Sequence, residues 1–591
     1  MPRRALHTTF LLATSHAPFR QPPSHGFAAC RLSLLAASRW KAAVSDARQR
    51  HLHLAATSLA ADQSTIYALS SAPGKAGIAV IRVSGPACLQ VRRALCPTAA
   101  QLKPRYAAVR TLYRPQASDD VLDTDAVVLY FPGPKTVTGE DVLELHVHGG
   151  AATVRAVLSA IPATSQTAIR YAEPGEFTRR AFFHDRVDLA EVEALGAALD
   201  AETEQQRRAA VRGSGGRQLG ATYDGWRREL LAARAEIEAL IDFAEDQHFD
   251  ESPTDLLGGV SGHVRTLLRA LATHEAAADR GSLLRQGIRI ALVGPANAGK
   301  SSMMNLVAGR AASIVSPEAG TTRDVVQASL DLRGYLCTFA DTAGFRNIRD
   351  VRDTSAASTI EAEGIRRARQ EAADADVVVV LAAVEPATHP DGTPSLAVRY
   401  DPETLRLAAR AQKCLVVLNK CDLAPDPAAL AALQADLSAA IQTSFDVPTA
   451  SVPLVAISCR IAEVAAAAAG SNDGHINTAP PLSGASNADG DPGGIGGLVD
   501  QLARSFAAMT DLPPDAQHLL GVTARQQQLL AQCRRHLDHF LLEAGATAGS
   551  RDPDVVLAAE HLRYAADSLA QITGRGDVGD IEEVLGVIFE K

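Results

Sequence analysis

Gly294-Pro295-Ala296-Asn297-Ala298-Gly299-Lys300-Ser301 lies between an apolar run, Ile290 to Val293, and a helix-compatible stretch, Ser302 to Ala308. The spacing G-x-x-x-x-G-K-S in a strand, loop and helix context predicts a phosphate-binding loop. Its glycines let the backbone curl so that amides around Asn297, Ala298, Gly299 and Ser302 point at phosphate oxygens, and the positive end of the following helix faces the same anions. Lys300 would neutralise charge on the β and γ phosphates of a nucleotide, and the Ser301 hydroxyl would ligate Mg2+.

Three further elements follow in order. Asp341-Thr342-Ala343-Gly344 closes the apolar strand Leu336 to Ala340, where an Asp can approach Mg2+ and the Gly344 amide can sense the γ-phosphate. Thr322, in Gly320-Thr321-Thr322-Arg323-Asp324, lies between them, as expected of a switch threonine that contacts Mg2+ while the γ-phosphate is present. Asn419-Lys420-Cys421-Asp422 follows the strand Cys414 to Leu418. The Asp422 carboxylate can accept from the N1 and N2 donors of guanine, donors that adenine lacks, so an unpaired acceptor would penalise ATP. Ile457-Ser458-Cys459 ends the next strand and could offer a backbone amide to guanine O6. Together these predict a guanine-nucleotide-binding GTPase.

Hydrolysis needs a group that orients water, which in Ras-like switches is a Gln directly after the second-switch Gly. Here that position is Phe345. Glu361 and Glu363 lie at the start of the helix that follows; their spacing alone reads as a solvated helix face, with water positioning as the alternative. Asn297 reads either as a turn residue or as a ligand of a monovalent cation beside the phosphates.

Around this core, short Val/Ile/Leu runs alternate with helical segments over residues 287–508, which predicts a parallel sheet with crossover helices. Asp224 to Glu245 carries Trp226, Leu230, Ala233, Ile237, Ile241 and Ala244 at helical spacing, and Ala516 to Glu543 and Asp554 to Ala570 are further helical stretches. The simplest architecture is an α/β GTPase domain at 287–508 inserted into an all-α domain made of 181–286 and 509–591. Residues 62–180 hold β-prone runs at Ile66 to Leu69, Ile78 to Val83, Ala126 to Phe131 and Val142 to Val147, and form an α+β domain. Ala466 to Gly497 reads as a disordered insertion, and Glu385 to Arg399 as a shorter loop.

At 591 residues with 47% apolar content, the chain suits three or four domains. No stretch approaches the roughly 18 to 20 uninterrupted apolar residues of a membrane-spanning helix, which excludes an integral membrane protein. Eight scattered cysteines without a C-x-x-C pair fit a reducing compartment. Residues 1–61 carry seven Arg and one Lys against the single acid Asp46, whereas the remainder carries a net charge of −16. That first segment has the composition of a mitochondrial transit peptide. The acidic remainder cannot hold a polyanion through its overall field, so RNA needs a local patch or a basic partner.

The chain resembles the MnmE (TrmE) family of tRNA-modification GTPases over residues 64 to 589. Pro-Ala-Asn-Ala-Gly-Lys-Ser-Ser and Ala-Gly-Thr-Thr-Arg-Asp are shared with related GTPases. Thr65-Ile66 through Ala72-Pro73-Gly74-Lys75-Ala76-Gly77 to Ser84-Gly85, Thr138-Gly139-Glu140-Asp141 through His148-Gly149-Gly150, and Glu173-Pro174-Gly175-Glu176-Phe177-Thr178-Arg179-Arg180 are far more specific. In the family, similar N-terminal phrases belong to a domain that binds a tetrahydrofolate derivative and dimerises the protein. By this resemblance Arg82, Glu144 and Arg186 contact the folate, with Arg186 standing where the family usually has Lys. Asn297, Ser316, Glu318 and Thr321 hold K+, and Glu361 positions the water.

The resemblance further implies a homodimer that couples GTP hydrolysis to substitution at carbon 5 of the wobble uridine of tRNAs. An FAD-dependent MnmG (GidA) type partner does the flavin chemistry, and the compartment is the mitochondrial matrix. The alternative is an Era- or Der-like GTPase of ribosome assembly, which would expect a basic RNA-binding module after the GTPase domain. Residues 511–591 instead hold 7 basic and 13 acidic residues. Family members end in Phe-Cys-Ile/Val-Gly-Lys, and this chain reads Val587-Ile588-Phe589-Glu590-Lys591, which leads us to expect potassium-supported GTP hydrolysis with poor tRNA modification.

Overall fold

The computed structural model describes residues 64–97, 103–164, 169–213, 216–243, 253–310, 312–314, 329–339, 370–388, 394–445, 452–469, 490–545 and 553–574. Strands β1 (Thr65–Leu69), β2 (Ile78–Ser84), β3 (Ala108–Arg114), β4 (Ala117–Phe131), β5 (Val142–His148) and β6 (Ile169–Tyr171) form one sheet ordered β3-β4-β5-β2-β1-β6. β6 lies parallel to β1, and the other pairs are antiparallel. Because successive side chains alternate, Ile81, Val83, Leu143, Leu145 and Val147 all face a core shared with helices α1 (Cys88–Leu95) and α2 (Ala151–Ala160). Arg82, Glu144 and His146 therefore stand on the opposite face. Helix α3 (Glu176–Phe183) follows β6.

Helices α4 (Leu189–Leu199), α5 (Glu204–Gly213), α6 (Gly216–Phe243) and α7 (Pro253–Gln286) come next in the chain, and α13 (Ala524–Glu543) and α14 (Val555–Thr573) near its end. The expected stripe on α6 is buried at Leu230, Ala233 and Ile237, in one cluster with Val264 and Leu271 of α7, Leu537 and Phe540 of α13, and Leu562 and Leu569 of α14. Two segments far apart in sequence thus share one core. Helix α13 begins at Ala524 rather than at Ala516. Thr523 and Gln526 form a reciprocal capping box there, and a separate 3-10 turn, Gln517–Gly521, precedes it. Cys533 is fully buried, and burial, with Glu275 second, pushes its thiol up to about 12. No described helix is long and apolar enough to cross a membrane.

His274 on α7 is buried beside Trp226, with ring centroids 4.8 Å apart, and its Nδ1 lies 3.2 Å from the Tyr223 hydroxyl. Burial, and secondarily His518, lowers its pKa from 6.5 to about 4. A depressed histidine contributes stability that is complete above its unfolded value and is lost as pH falls from about 6.5 toward about 4. The expected loss is about 3 kcal/mol over that window. In a Trp40→Phe background, Trp226 emission should report it, and an unchanged melting curve between pH 7 and pH 4.5 would contradict it.

Between α7 and α13 the chain builds the second sheet, from β7 (Ile288–Val293), β8 (Ala312–Ile314), β9 (Ser329–Leu332), β10 (Tyr335–Phe339), β11 (Val377–Thr388), β12 (Pro394–Arg399), β13 (Lys413–Asn419) and β14 (Leu454–Ala456). Its order is β14-β13-β11-β7-β10-β9-β8, parallel from β14 to β10, with β12 paired to β11. Helices α8 (Lys300–Arg310), α9 (Pro402–Ala408), α10 (Pro427–Ser444), α11 (Cys459–Ala469) and α12 (Ile495–Thr510) cover both faces, so two separate apolar clusters flank the sheet. Such two-sided burial is why its strands read as continuous apolar runs.

The fold is therefore an α+β domain, a helical domain, and an α/β P-loop domain inserted in the latter. Two expectations need correction. Glu385 to Arg399 is not a plain loop over its described residues: β11 extends to Thr388 and pairs with β12 in the register Val384↔Val398 and Pro386↔Leu396, and residues 389–393 lie outside the described residues. The Pro and Thr residues hid that alternation, and proline is tolerated on such an edge strand. The expected insertion 466–497 is helical at both ends, since α11 runs to Ala469 and α12 starts at Ile495; residues 470–489 lie outside the described residues. Helices α3 and α12 also run across positions 180 and 508.

Candidate functional site

The strand order reverses at β7, whose neighbours β10 and β11 leave it on opposite sides, and the crevice at the carboxyl ends of such strands is where an open α/β sheet binds ligands. The phosphate loop stands there. Gly294 has φ +148, and a side chain on it would strike the Leu381 carbonyl of β11. Gly299 has φ +99, and a side chain on it would strike the Asn419 amide. Asn297 is exposed and adopts φ +64, a conformation Asn tolerates better than most residues. Lys300 Nζ curls over the loop and donates to the carbonyls of Gly294 at 2.8 Å and Pro295 at 2.9 Å, which leaves its third N–H for an anion. Burial lowers the pKa of this ammonium, so a phosphate oxygen would relieve it. Ser301 is exposed in the first turn of α8, and Ser302 is half-buried beside it.

Asn419 ends β13 with its side chain buried. Its Nδ2 donates to the Ala298 carbonyl at 2.8 Å, and its Oδ1 accepts from the Cys459 amide at 3.1 Å. One side chain thereby joins the phosphate loop to both base-side segments. The Ser458 amide donates to the Gly493 carbonyl at 2.9 Å, so both amides singled out for guanine O6 already have protein acceptors. The more direct role of Ser458 is through its hydroxyl, which donates to Asp422 Oδ1 at 2.6 Å and accepts from the Ile461 amide at 3.2 Å. Arg460 Nη1 stands 3.8 Å from Asp422 Oδ2. A cleft of about 450 Å3 opens beside Asp422 and continues along α11 over Ile461, Val464 and Ala468. Lys420 adopts φ +60, and its Nζ lies 3.4 Å from Glu385 Oε1 on the extended part of β11. Sequence reasoning missed the brace from Ser458 and the Lys420–Glu385 pair, because neither spacing carries a signal by itself.

Ser316, Glu318, Thr321, Thr322, Asp341, Thr342, Ala343, Gly344, Phe345, Glu361 and Glu363 lie outside the described residues.

On the N-terminal sheet, Arg82 and Glu144 are cross-strand partners, and Arg82 Nε and Nη2 donate to Glu144 Oε1 at 3.0 and 2.8 Å. His146 Nε2 lies 3.4 Å from Glu144 Oε2, and the Phe177 ring centroid is 6.0 Å from the Arg82 guanidinium carbon. Arg186 is held elsewhere, its Nε donating to the Thr136 carbonyl at 2.9 Å.

The specific N-terminal phrases also build a buried ionic network. Arg180 donates to Glu140 Oε1 at 3.0 Å, Glu176 Oε1 at 3.0 Å and the Ser64 carbonyl at 2.9 Å, while Arg170 donates to both oxygens of Glu176 at 2.7 and 2.8 Å. Ser84 donates to Glu140 Oε2 at 2.7 Å. Burial alone would raise the Glu176 carboxyl, but donations from Arg170, the Glu173 amide and Arg180 outweigh it and hold the group below its ordinary range.

Fold and loop geometry together define a P-loop nucleotide-binding protein of the GTPase class. Residues 65–186 match the family model described as the GTP-binding protein TrmE N-terminus, and residues 189–591 match the MnmE helical domain. The mitochondrial 5-taurinomethyluridine-tRNA synthase subunit of Homo sapiens is 37% identical over 531 residues, covering 89% of this chain and 92% of that protein. The tRNA modification GTPase MnmE of Parvibaculum lavamentivorans is 38% identical over 526 residues, covering 89% and 98%. The mitochondrial tRNA modification GTPase of Schizosaccharomyces pombe is 33% identical over 533 residues, covering 89% and 94%. The chain belongs to the MnmE (TrmE) family.

Proposed function

We propose that this chain is a mitochondrial GTP hydrolase of tRNA modification. In the finer form of this reading it acts in the matrix, as a homodimer with an FAD-dependent MnmG-type partner, to substitute carbon 5 of the wobble uridine. Residues 287–508 bind and hydrolyse GTP, 62–180 hold the folate and dimerise, and 181–286 with 509–591 form the helical domain. The observation that carries it is the Asp422 carboxylate, braced by Ser458 beside Asn419, which bonds to the phosphate loop, in a chain that also bears the Arg82–Glu144 pair. Mass spectrometry of mitochondrial tRNA nucleosides from cells lacking the gene tests it: a wobble-uridine modification should disappear, and normal nucleosides would refute it.

The donors suit the groups the reading requires. Mg2+ takes hard oxygen ligands and keeps several waters, so the Ser301 and Thr322 hydroxyls with phosphate oxygens suffice for it. K+ would be held by Asn297, Ser316, Glu318 and Thr321, and supplies the positive charge that an arginine finger supplies in other GTPases. Asn297 is exposed at the loop's crest, where its amide oxygen can turn toward such an ion. A tetrahydrofolate derivative supplies a one-carbon unit, and its ring donors match the Glu144 carboxylate while the Phe177 ring offers an apolar wall. The remaining Arg186 donors suit a folate carboxylate. Glu361 positions water in place of the Gln that Phe345 replaces.

GTP turnover should accordingly require potassium and fall at least tenfold in sodium; equal rates in both salts would contradict the Asn297 assignment. Glu361→Ala should lower turnover by about 10²-fold or more while leaving nucleotide affinity nearly unchanged. If Glu363→Ala does this instead, the water-positioning residue lies two places further on.

A further inference from the structure

The far end of β5 carries a second constellation that nucleotide binding does not use. Asp123, on β4, has only 2% of its side chain exposed, yet His148, which it holds, is 62% exposed. Asp123 Oδ2 accepts from the His148 amide at 2.8 Å, Oδ1 lies 2.8 Å from His148 Nδ1, and the Asp125 amide donates to Oδ1 at 3.3 Å. Burial would raise this carboxyl, but the two His148 donations and the Asp125 amide outweigh it and hold it below the ordinary range, so it is a carboxylate. A carboxylate can only accept. Nδ1 therefore carries a ring hydrogen, and Nε2 faces outward, with no partner for it among the described residues.

Burying a carboxylate costs several kcal/mol, and satisfying the strand-end amide does not require the ring of residue 148. Immobilising one tautomer of an exposed imidazole is what the arrangement achieves beyond that, as the carboxylate behind a catalytic histidine does. The strand end itself is pinned: a side chain at Gly149 would meet the backbone of Ala76 near 2.5 Å, and the Ala76 amide donates to the Gly149 carbonyl at 3.2 Å. Glu144, His146 and His148 alternate along β5 and so share the face opposite the apolar core. His148 follows Glu144 by four residues, about 13 Å along the strand. His146, whose Nε2 lies 3.4 Å from Glu144 Oε2, stands between them on that face.

We infer that His148 is the general base of the modification reaction and Asp123 its positioning residue, and that the proton removed is that of a primary ammonium substrate. This rests on the folate reading of the same sheet face. The step is R–NH3+ plus neutral imidazole giving R–NH2 plus imidazolium. The nitrogen lone pair so freed is available to form the bond to the one-carbon unit, and Nε2 returns its proton to water.

The test uses the full chain with its flavoprotein partner, unmodified tRNA, the amine and GTP. His148→Ala should reduce modification about a hundredfold or more, leave GTP turnover unchanged, and regain modification when imidazole is added. His148→Asn keeps a donor for Asp123 but lacks the second ring nitrogen, so it should be as impaired as the alanine variant. A merely structural role predicts the reverse: an active Asn variant and an Ala variant whose loss imidazole does not relieve. Retained activity in the Asn variant, or a loss in the Ala variant that imidazole does not relieve, overturns the assignment. Binding of 5-formyltetrahydrofolate to the wild-type chain is measured separately. Its absence would remove the folate reading, whereas imidazole rescue would continue to decide the role of His148.

Discussion

Asp422→Asn is expected to weaken GTP binding about 10³-fold and to improve use of xanthosine triphosphate. On the proposed reading the carboxylate would accept from two guanine donors at once, and charge-assisted hydrogen bonds each contribute about 1.5–3 kcal/mol. Asn offers one acceptor and turns an N–H toward a second donor, so part of the loss is an active mismatch. The brace sharpens the expectation. Because Ser458 Oγ donates to Asp422 Oδ1 at 2.6 Å, the carboxylate is already aimed before nucleotide arrives, and Ser458→Ala should cost less, on the order of 1 kcal/mol. Isothermal titration with GTP and XTP reads both effects. Unchanged GTP affinity in Asp422→Asn would mean that the base is read elsewhere.

Arg180→Met should destabilise the N-terminal sheet by about 3–5 kcal/mol while leaving GTP turnover in place. Arg180 and Glu176 are 3% and 2% exposed, and Glu140 is 20% exposed, so removing the shared cation leaves buried carboxylates uncompensated. Arg170 still covers Glu176, but Glu140 would retain only the Ser84 hydroxyl among its described side-chain donors. Denaturant unfolding followed by far-ultraviolet circular dichroism measures this, and a shift below about 1 kcal/mol would show the network to be incidental. A linked pH effect follows, since Glu176 is held below its ordinary value near 4.5. Its contribution is present above that value and lost as pH falls below it.

The parallel strands and the helical stripe were legible because two-sided burial and one-sided burial leave different periods in the sequence. Val377 to Leu381 and Leu415 to Leu418 are continuous apolar runs, and Leu230, Ala233 and Ile237 recur at helical spacing; each is buried as its period requires. β3 and β6 were not legible. β3 is an edge strand with Arg110 and Arg114 breaking its run, and β6 is the three residues Ile169 to Tyr171. The nucleotide loop could be read because glycines are demanded by geometry there, at Gly294 and Gly299. By contrast, the long-range partners Ser458 with Asp422 and Asp123 with His148 could not be found from spacing, because only the fold brings them within reach. The motif residues Glu140, Glu176 and Arg180 are as recognisable as any site residue, yet in the structure they bond to one another.

Helix α7 enters β7 through a single residue, Gly287, at φ +87, and six strand residues later the chain reaches the phosphate loop. The 34 residues of this helix make a rod about 51 Å long. A turn of 5° about Gly287 therefore sweeps its far end through roughly 4 Å, many times the travel at the pivot. The joint has little slack, since a side chain at 287 would press on Leu336 at 3.1 Å. Because α7 is buried along Leu257, Val260, Val264 and Leu271 in the core it shares with α6, α13 and α14, any tilt of β7 at the phosphate loop would have to be absorbed by that packing.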